Sequence, residues 1–421
     1  MNTKIPNIFF KEEELEDLYQ NNSEKIRVPT NQTQYSFETK ENLQKFIDNQ
    51  FPTKLEKSKY KEYRNEWHRR AKNFDPGPAP LAVCIELVST CNLSCPMCYT
   101  ITKNFQDSVT GAQRMLPWKI VTSIIDECSE LGVYSILFSW RGESTLYRSI
   151  DENGEKKDFA DALKYAREKG ILEITSLTHG QQINEKMALK IIDADPSWIS
   201  FSFDGINDVY NSIRTPTKFK NKSYDAFKVV TNNLKNLVDL RNKAGKTRPQ
   251  IRSNTIYPAI ANDPMSYYNY LKKIGVDMIT VNELLDLRDG LPDEIAINKN
   301  WACQYPFQRL TVSANGTILP CTGAHNEELG LVLGYYNGTK KNKLNDNNVN
   351  QNTDLKYLNL KAAWKSEKLE NIRNLHKTGN RCEINPGCKN CSHGYKKHGF
   401  NREHSSWDYK KQKWSNSHRV G

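Results

Sequence analysis

The fold turns on the stretch Ala82-Val83-Cys84-Ile85-Glu86-Leu87-Val88-Ser89-Thr90-Cys91-Asn92-Leu93-Ser94-Cys95-Pro96-Met97-Cys98-Tyr99. Ala82–Leu87 has the composition of a buried strand, and three cysteines follow it at a three-then-two spacing. The thiolates therefore gather in a loop at a strand's carboxyl end, where parallel βα barrels carry their active sites. Three close thiolates can hold three irons of a 4Fe-4S cluster and leave the fourth iron open, whereas electron-transfer clusters use four cysteines. A zinc site is the alternative, but zinc sites usually take four ligands in paired motifs, and no His stands near these cysteines.

Outward from this loop, short β-rich runs alternate with amphipathic segments. The further strand candidates are Ser135–Phe138, Glu173–Leu177, Trp198–Phe203, Gln250–Ile256 and Met278–Val281. Between them, Ile120, Val121, Ile124, Ile125, Cys128 and Leu131 form one helical stripe, Phe159, Ala162, Leu163 and Ala166 a second, and Phe227, Val230, Leu234 and Leu237 a third. Repeated βα units of this kind build a parallel sheet. Six of them predict an α/β fold, a partial (β/α)6 barrel, over residues 76–290.

Upstream, Tyr60, Tyr63, Trp67 and Ala71 fall at helical spacing and predict a helix that lays an apolar stripe on the next domain. Asp75-Pro76-Gly77-Pro78 breaks it, so residues 1–75 are expected to be a helical accessory region. Downstream, Arg309–Ser313 and Thr317–Cys321 predict a hairpin through Asn315-Gly316. Lys340 to Thr353 is Asn- and Lys-rich, Leu358 to Leu375 has helical character, and a cysteine-rich end follows. The expected units are a small C-terminal cysteine-rich α+β domain over 291–400 and a polar tail over 401–421.

With 421 residues the chain has room for two or three domains. The net charge of +11 would suit an anionic partner, but Lys is scattered among acids rather than gathered in a strip, which argues against nucleic acid. No apolar run approaches the ~18 residues of a membrane span, and Met1 to Tyr19 has no signal-peptide apolar region. A cytoplasmic location without membrane contact is therefore expected. In such a compartment the ten cysteines are better metal ligands or free thiols than disulfides. Cys84 and Cys128 sit within apolar patterns and are expected to be buried packing.

The Cys91, Cys95, Cys98 motif resembles that of the radical S-adenosylmethionine (SAM) superfamily, in which the open iron binds the amino and carboxylate groups of SAM. Reductive cleavage then yields a 5′-deoxyadenosyl radical that abstracts hydrogen from a substrate carbon, chemistry a cofactor must supply. Met97 stands where the family often has an aromatic residue, and Tyr99 is available to pack near the adenine. Trp140-Arg141-Gly142-Glu143-Ser144 is similar to the family's Gly-Gly-Glu-Pro segment, with Gly142 and Glu143 retained for the SAM amino group. Thr178-His179-Gly180 resembles its Thr-Asn-Gly near the ribose. The later strands offer Ser202 for ribose hydroxyls, Arg214 for the SAM carboxylate, and Arg252 with Asn254.

Cys303, Cys321, Cys388 and Cys391, with Gly316 between the first two, resemble the twitch/SPASM extension that binds auxiliary clusters. Four ligands suffice for one closed 4Fe-4S cluster; a zinc ribbon is the alternative, disfavoured because Cys303 and Cys321 are not a tight pair. Cys382 is the spare thiol, an extra ligand, a loop residue or a hydrogen-atom donor. The resemblance thus implies a SAM-binding 4Fe-4S cluster, one auxiliary 4Fe-4S cluster, SAM, and a reductase supplying electrons. It points to oxidation or epimerisation of a sugar, aminocyclitol or nucleotide-linked small molecule, by analogy with relatives. Modification of a ribosomally made peptide or partner protein is the rival, and a non-enzymatic iron-sulfur carrier the third reading.

Overall fold

The computed structural model describes residues 19–23, 26–29, 35–36, 40–107, 115–217, 224–282, 302–323, 330–337, 356–384, 387–389, 391, 407–408 and 413–414. The Lys340 to Thr353 run and all of the 401–421 tail except 407–408 and 413–414 lie outside the described residues.

Six strands follow the expected order: β1 (Ala82–Ile85), β2 (Ser135–Leu137), β3 (Glu173–Thr178), β4 (Trp198–Ser202), β5 (Gln250–Ile256) and β6 (Met278–Asn282). Each pairs in parallel with the next. Their residues alternate strictly between two faces. Val83, Ile85, Ile136, Ile174, Ile199, Phe201, Ile251, Ile279 and Val281 are buried against helices. Those helices are α3 (Trp118–Glu130), α4 (Phe159–Glu168), α5 (Glu185–Ala194), α6 (Ala226–Lys243) and α7 (Pro264–Ile274). Each such side chain contributes about 1.5–3 kcal/mol on burial, and a one-residue slip would turn the whole set inward, so register is fixed by the apolar pattern. The inward set is mixed: Cys84, Leu137, Leu177 and Trp198 stand beside the polar Glu173, Thr175, Ser200, Ser202, Arg252 and Asn254.

Two helices precede the barrel, α1 (Lys40–Gln50) and α2 (Lys54–Asn73). Helix α2 opens on a Thr53/Glu56 capping box and ends at Phe74 in the left-handed region. Its predicted stripe packs as expected. Tyr63 and Trp67 cluster with Leu81 and Tyr134 at the amino ends of β1 and β2, so the helix closes the barrel end opposite the cysteine loop.

The hairpin forms as β7 (Arg309–Val312) and β8 (Thr317–Leu319), with Gly316 at φ 85° in the turn. It is not separate from the barrel: β7 pairs in parallel with β1, and β9 (Gly334–Tyr336) and β10 (Tyr357–Leu358) continue the same sheet beyond β8. Among the described residues one eleven-stranded sheet crosses the expected boundary at residue 290, with Tyr35–Ser36 on the far edge beside β6. The single helix expected over Leu358 to Leu375 is two, α8 (Leu360–Trp364) and α9 (Glu367–Lys377). Ser366 interrupts them by leaving helical geometry and accepting the Leu369 N–H through its hydroxyl, so the local cap outweighs the continuous pattern. Among the described residues no helix is long and apolar enough to cross a membrane.

Candidate functional site

The loop after β1 carries the first three cysteines. Cys95 is buried, with Cys91 and Cys98 half-buried, and Cys98 N–H donates to Cys95 O at 2.9 Å. Burial pushes the Cys91 thiol up, reinforced by the nearby charges of Glu143, Cys95 and Cys98. The Cys95 thiol is pushed up to about 11 by burial, against the pull of the Arg214 guanidinium, whose Nη1 stands 3.6 Å from its Sγ. Thiols so placed gain most from ionising against a metal, because a coordinating thiol is deprotonated outright. The donor set, three thiols on one loop with a guanidinium beside one, fits a three-ligand iron-sulfur cluster.

The segment after β2, Trp140 to Ser144, is held by buried contacts of its own. Arg141 forms a fully buried bidentate pair with Glu86 of the β1 end, Nε to Oε1 at 2.9 Å and Nη2 to Oε2 at 2.6 Å. Its guanidinium also lies 3.8 Å from the centre of the Trp140 ring. Glu86 accepts as well from the Arg141 N–H and, across the sheet, from the Ala314 N–H. Gly142 is required by close approach: an added Cβ would sit 2.2 Å from Val88 O and 2.7 Å from Thr90 O. Gly142→Ala should therefore push this segment off the cysteine loop and destabilise the protein by roughly 1–3 kcal/mol, read as a lower thermal midpoint.

Glu143 is buried and filled by its own chain. Oε1 accepts from Thr145 N–H (3.2 Å), Thr145 Oγ1 (2.6 Å) and Thr178 Oγ1 (2.6 Å), and Oε2 from His179 N–H (2.9 Å). Oε2, with a single donor, keeps acceptor capacity for an ammonium ligand. His179 Nδ1 accepts from Gln181 N–H, so Nε2 carries the proton and donates to Asn92 Oδ1 of the cysteine loop at 2.8 Å. Burial lowers the His179 pKa, with the Glu143 carboxylate opposing, which keeps the ring neutral. The His that replaces Asn thus joins the β3 end to the cysteine loop.

Ser202 and Asn254 face one another across β4 and β5, and Asn254 Oδ1 accepts from Thr280 Oγ1 at 3.0 Å. Arg214 is already engaged by Asp204, with Nε to Oδ2 at 2.7 Å and a second contact from Nη2. The Tyr99 side chain lies outside the described residues.

The second thiol group also comes together. Cys321 packs against Cys303, Cys391 N–H donates to Cys388 O at 3.4 Å, and burial, reinforced by the neighbouring thiols, pushes the Cys303 and Cys388 thiols up. Sequence reasoning missed the residues that hold this group. Cys303 N–H donates to His376 Nδ1 of α9 at 3.1 Å, and burial with the Arg381 charge lowers the His376 pKa to about 3. The fully buried Arg381 donates to Cys388 O. Only the apolar spacing of α9 marked this region, and apolar spacing says nothing of a polar residue on the buried face. Cys382, in the turn Arg381–Glu383, is half-buried.

The two regions meet where the Trp140 indole N–H donates to Thr322 O, one residue past Cys321, at 2.8 Å. Beneath this bond lies a cavity of about 430 Å³ inside the barrel, lined by Ser139, Trp140 and Thr322 above and by Trp67, Trp198 and Arg252 below. Among the described residues, no group of three or more His, Cys, Asp or Glu side chains forms a site for a single metal ion.

Residues 85–244 match the family model of the Radical SAM superfamily. The chain thus carries a radical SAM domain over these residues, and residues 303–392 match a second family model, SPASM, an iron-sulfur cluster-binding domain. Its cofactors are accordingly a 4Fe-4S cluster, SAM and auxiliary iron-sulfur. Enzymes of this kind act on small molecules or peptides and need a reductant. A curated relative, Fe-coproporphyrin III synthase of Methanosarcina barkeri, is 32% identical over 141 residues, 34% of this chain and 31% of that protein, so the chain spans about a third of its length. Among solved structures, anSMEcpe with bound AdoMet has TM-score 0.49 at 15% identity, covering 75% of this chain and 89% of that one. SuiB of Streptococcus suis bound to precursor peptide SuiA has TM-score 0.47 at 15% identity (74% and 70%), and BtrN in complex with AdoMet and 2-DOIA 0.43 at 15% (74% and 92%).

Proposed function

We propose that Cys91, Cys95 and Cys98 hold the SAM-binding cluster, that Cys303, Cys321, Cys388 and Cys391 hold one auxiliary cluster, and that the enzyme oxidises or epimerises a small molecule in the cytoplasm. The observation that carries this reading is the Trp140–Thr322 hydrogen bond, which places the end of the SAM segment and the loop of Cys321 at the roof of one cavity. That cavity has the volume of a small-molecule site. When bound, the cofactors supply hydrogen abstraction from a carbon and an electron acceptor, a pairing that suits net two-electron oxidation or, with a thiol returning hydrogen, epimerisation.

The chain's own residues prepare this site. Arg214, held by Asp204, favours the thiolate of Cys95 and leaves one nitrogen facing its sulfur. Glu143 gathers Thr145, Thr178 and His179, which fixes the ends of β2 and β3 around the place for SAM. Tyr99, Gly142, Ser202 and Asn254 complete the proposed cradle. Cys382 is the proposed hydrogen donor in the epimerase form. In domain terms, 76–290 supplies the radical chemistry and 291–400 the auxiliary cluster, although one sheet serves both.

Anaerobic reconstitution should give about eight irons per chain, the content of two 4Fe-4S clusters, measured by iron and sulfide analysis. About four would remove the auxiliary cluster. A reduced, loaded protein that leaves SAM intact would instead be an electron carrier. With a turned-over substrate, solvent deuterium at carbon marks epimerisation, and its absence marks oxidation.

A further inference from the structure

The inward face of the barrel holds charge that the chemistry described so far does not use. Four charged side chains line the cavity: Arg64, Arg252 and Arg309 against the single carboxylate of Glu173. Arg252 is buried on β5, donates from Nε to Ser200 Oγ at 3.0 Å and stacks 4.2 Å from the Trp198 ring centre. Arg309, at the start of β7, lies over Trp67 at 5.0 Å and Tyr305 at 4.1 Å, and its buried Nε has no hydrogen-bond partner. Glu173 also accepts from Ser135 Oγ at 2.7 Å. Both arginines sit at the barrel floor beside α2. From Ser135 to Ser139 the wall rises about 13 Å at the usual strand rise.

From these residues we infer that the cavity is the substrate site and that Arg252 and Arg309 grip an anionic group of the substrate, a carboxylate or phosphate ester. The rest of the molecule rises between Trp67, Trp198 and Trp140 toward the roof. The inference rests on the function proposed above. A cavity lined by three guanidiniums and one carboxylate is net positive, and Arg309 keeps a buried Nε without a hydrogen-bond partner, so a ligand anion supplies opposing charge with charge-assisted hydrogen bonds. Burial, against the attraction of Glu173, lowers the Arg252 pKa to about 10. The aromatic walls suit a flat or ring-shaped body. With the acid group at the floor, a carbon one molecule-length away stands under Trp140 and Thr322. The grip therefore also selects which carbon is presented.

The test is calorimetric titration of the iron-sulfur-loaded protein, with SAM present, using phenyl phosphate, benzoate and neutral benzyl alcohol. The two anions are expected to bind and the alcohol to bind at least tenfold more weakly, with the tighter anion separating phosphate from carboxylate. Arg252→Met and Arg309→Gln should each weaken anion binding about tenfold or more, the worth of a hydrogen bond to a charged group, and leave the alcohol unaffected. Iron content and thermal midpoint check that each variant is folded. If Arg252→Met does not fold, the half-buried Arg309→Gln carries the test alone. Equal binding of alcohol and anions, no anion binding by the wild type, or unchanged anion affinity in folded variants would overturn the inference. Formation of 5′-deoxyadenosine by the wild type is read separately. Its loss with anion binding retained would strike the proposed function and not the anion site.

Discussion

Replacing Cys91, Cys95 and Cys98 together by alanine should reduce 5′-deoxyadenosine formation by roughly 10⁶-fold or more, to the uncatalysed background. The reason is that the three thiols are the whole proposed ligand set for the open-iron cluster, and their loop has no fourth cysteine to substitute. Cys388→Ala with Cys391→Ala should behave differently. These residues belong to the second thiol group, so SAM cleavage should persist while its coupling to substrate is lost. Chromatographic quantitation of 5′-deoxyadenosine from the reduced proteins, alongside product, separates the two. Equal loss of cleavage in both variants would argue that the groups do not have separate roles.

The second large effect is on stability. Glu86→Gln should destabilise the protein by about 3–5 kcal/mol, because it leaves the Arg141 guanidinium buried with an uncompensated charge. The damage should extend beyond one ion pair, since Glu86 also accepts from Ala314 N–H and so ties β1, the segment after β2 and the β7–β8 hairpin together. Replacing both members, Glu86→Met with Arg141→Met, removes the charge along with its partner and should be less harmful than Glu86→Gln alone. Thermal midpoints of the three proteins decide this. A Glu86→Gln midpoint within error of the parent would mean that water or another group compensates Arg141.

Much of the fold was legible because its signals are local. All six barrel strands, from Ala82–Ile85 to Met278–Asn282, fall on short β-rich runs, and the stripe from Ile120 to Cys128 packs as its 3.6-residue period requires. The turn at Asn315-Gly316 was equally plain, since the backbone there needs the left-handed φ that glycine tolerates. The break at Ser366 was harder. A serine mid-pattern is compatible with a continuous helix until tertiary packing lets it act as a cap.

The candidate site divides in the same way. Spacing singled out Cys91, Cys95 and Cys98, and likeness to known motifs singled out Glu143 and Arg214, but partners were invisible. Nothing local to Arg141 says that it meets Glu86, 55 positions away, or that Arg214 is engaged by Asp204 and faces Cys95. His376 and Arg381 lacked any motif and became site residues only because α9 and the following turn pack on Cys303 and Cys388.

By itself, then, the sequence determined the order of βα units and the two thiol groups, because strand period, helix period and ligand spacing are properties of neighbours along the chain. Only the tertiary structure decided that one sheet joins the barrel to the C-terminal hairpin, that Trp140 meets Thr322, and that three arginines share a cavity with one carboxylate. Those are contacts between distant residues, and their energies depend on burial, which a linear pattern of polar side chains on an inward strand face does not disclose.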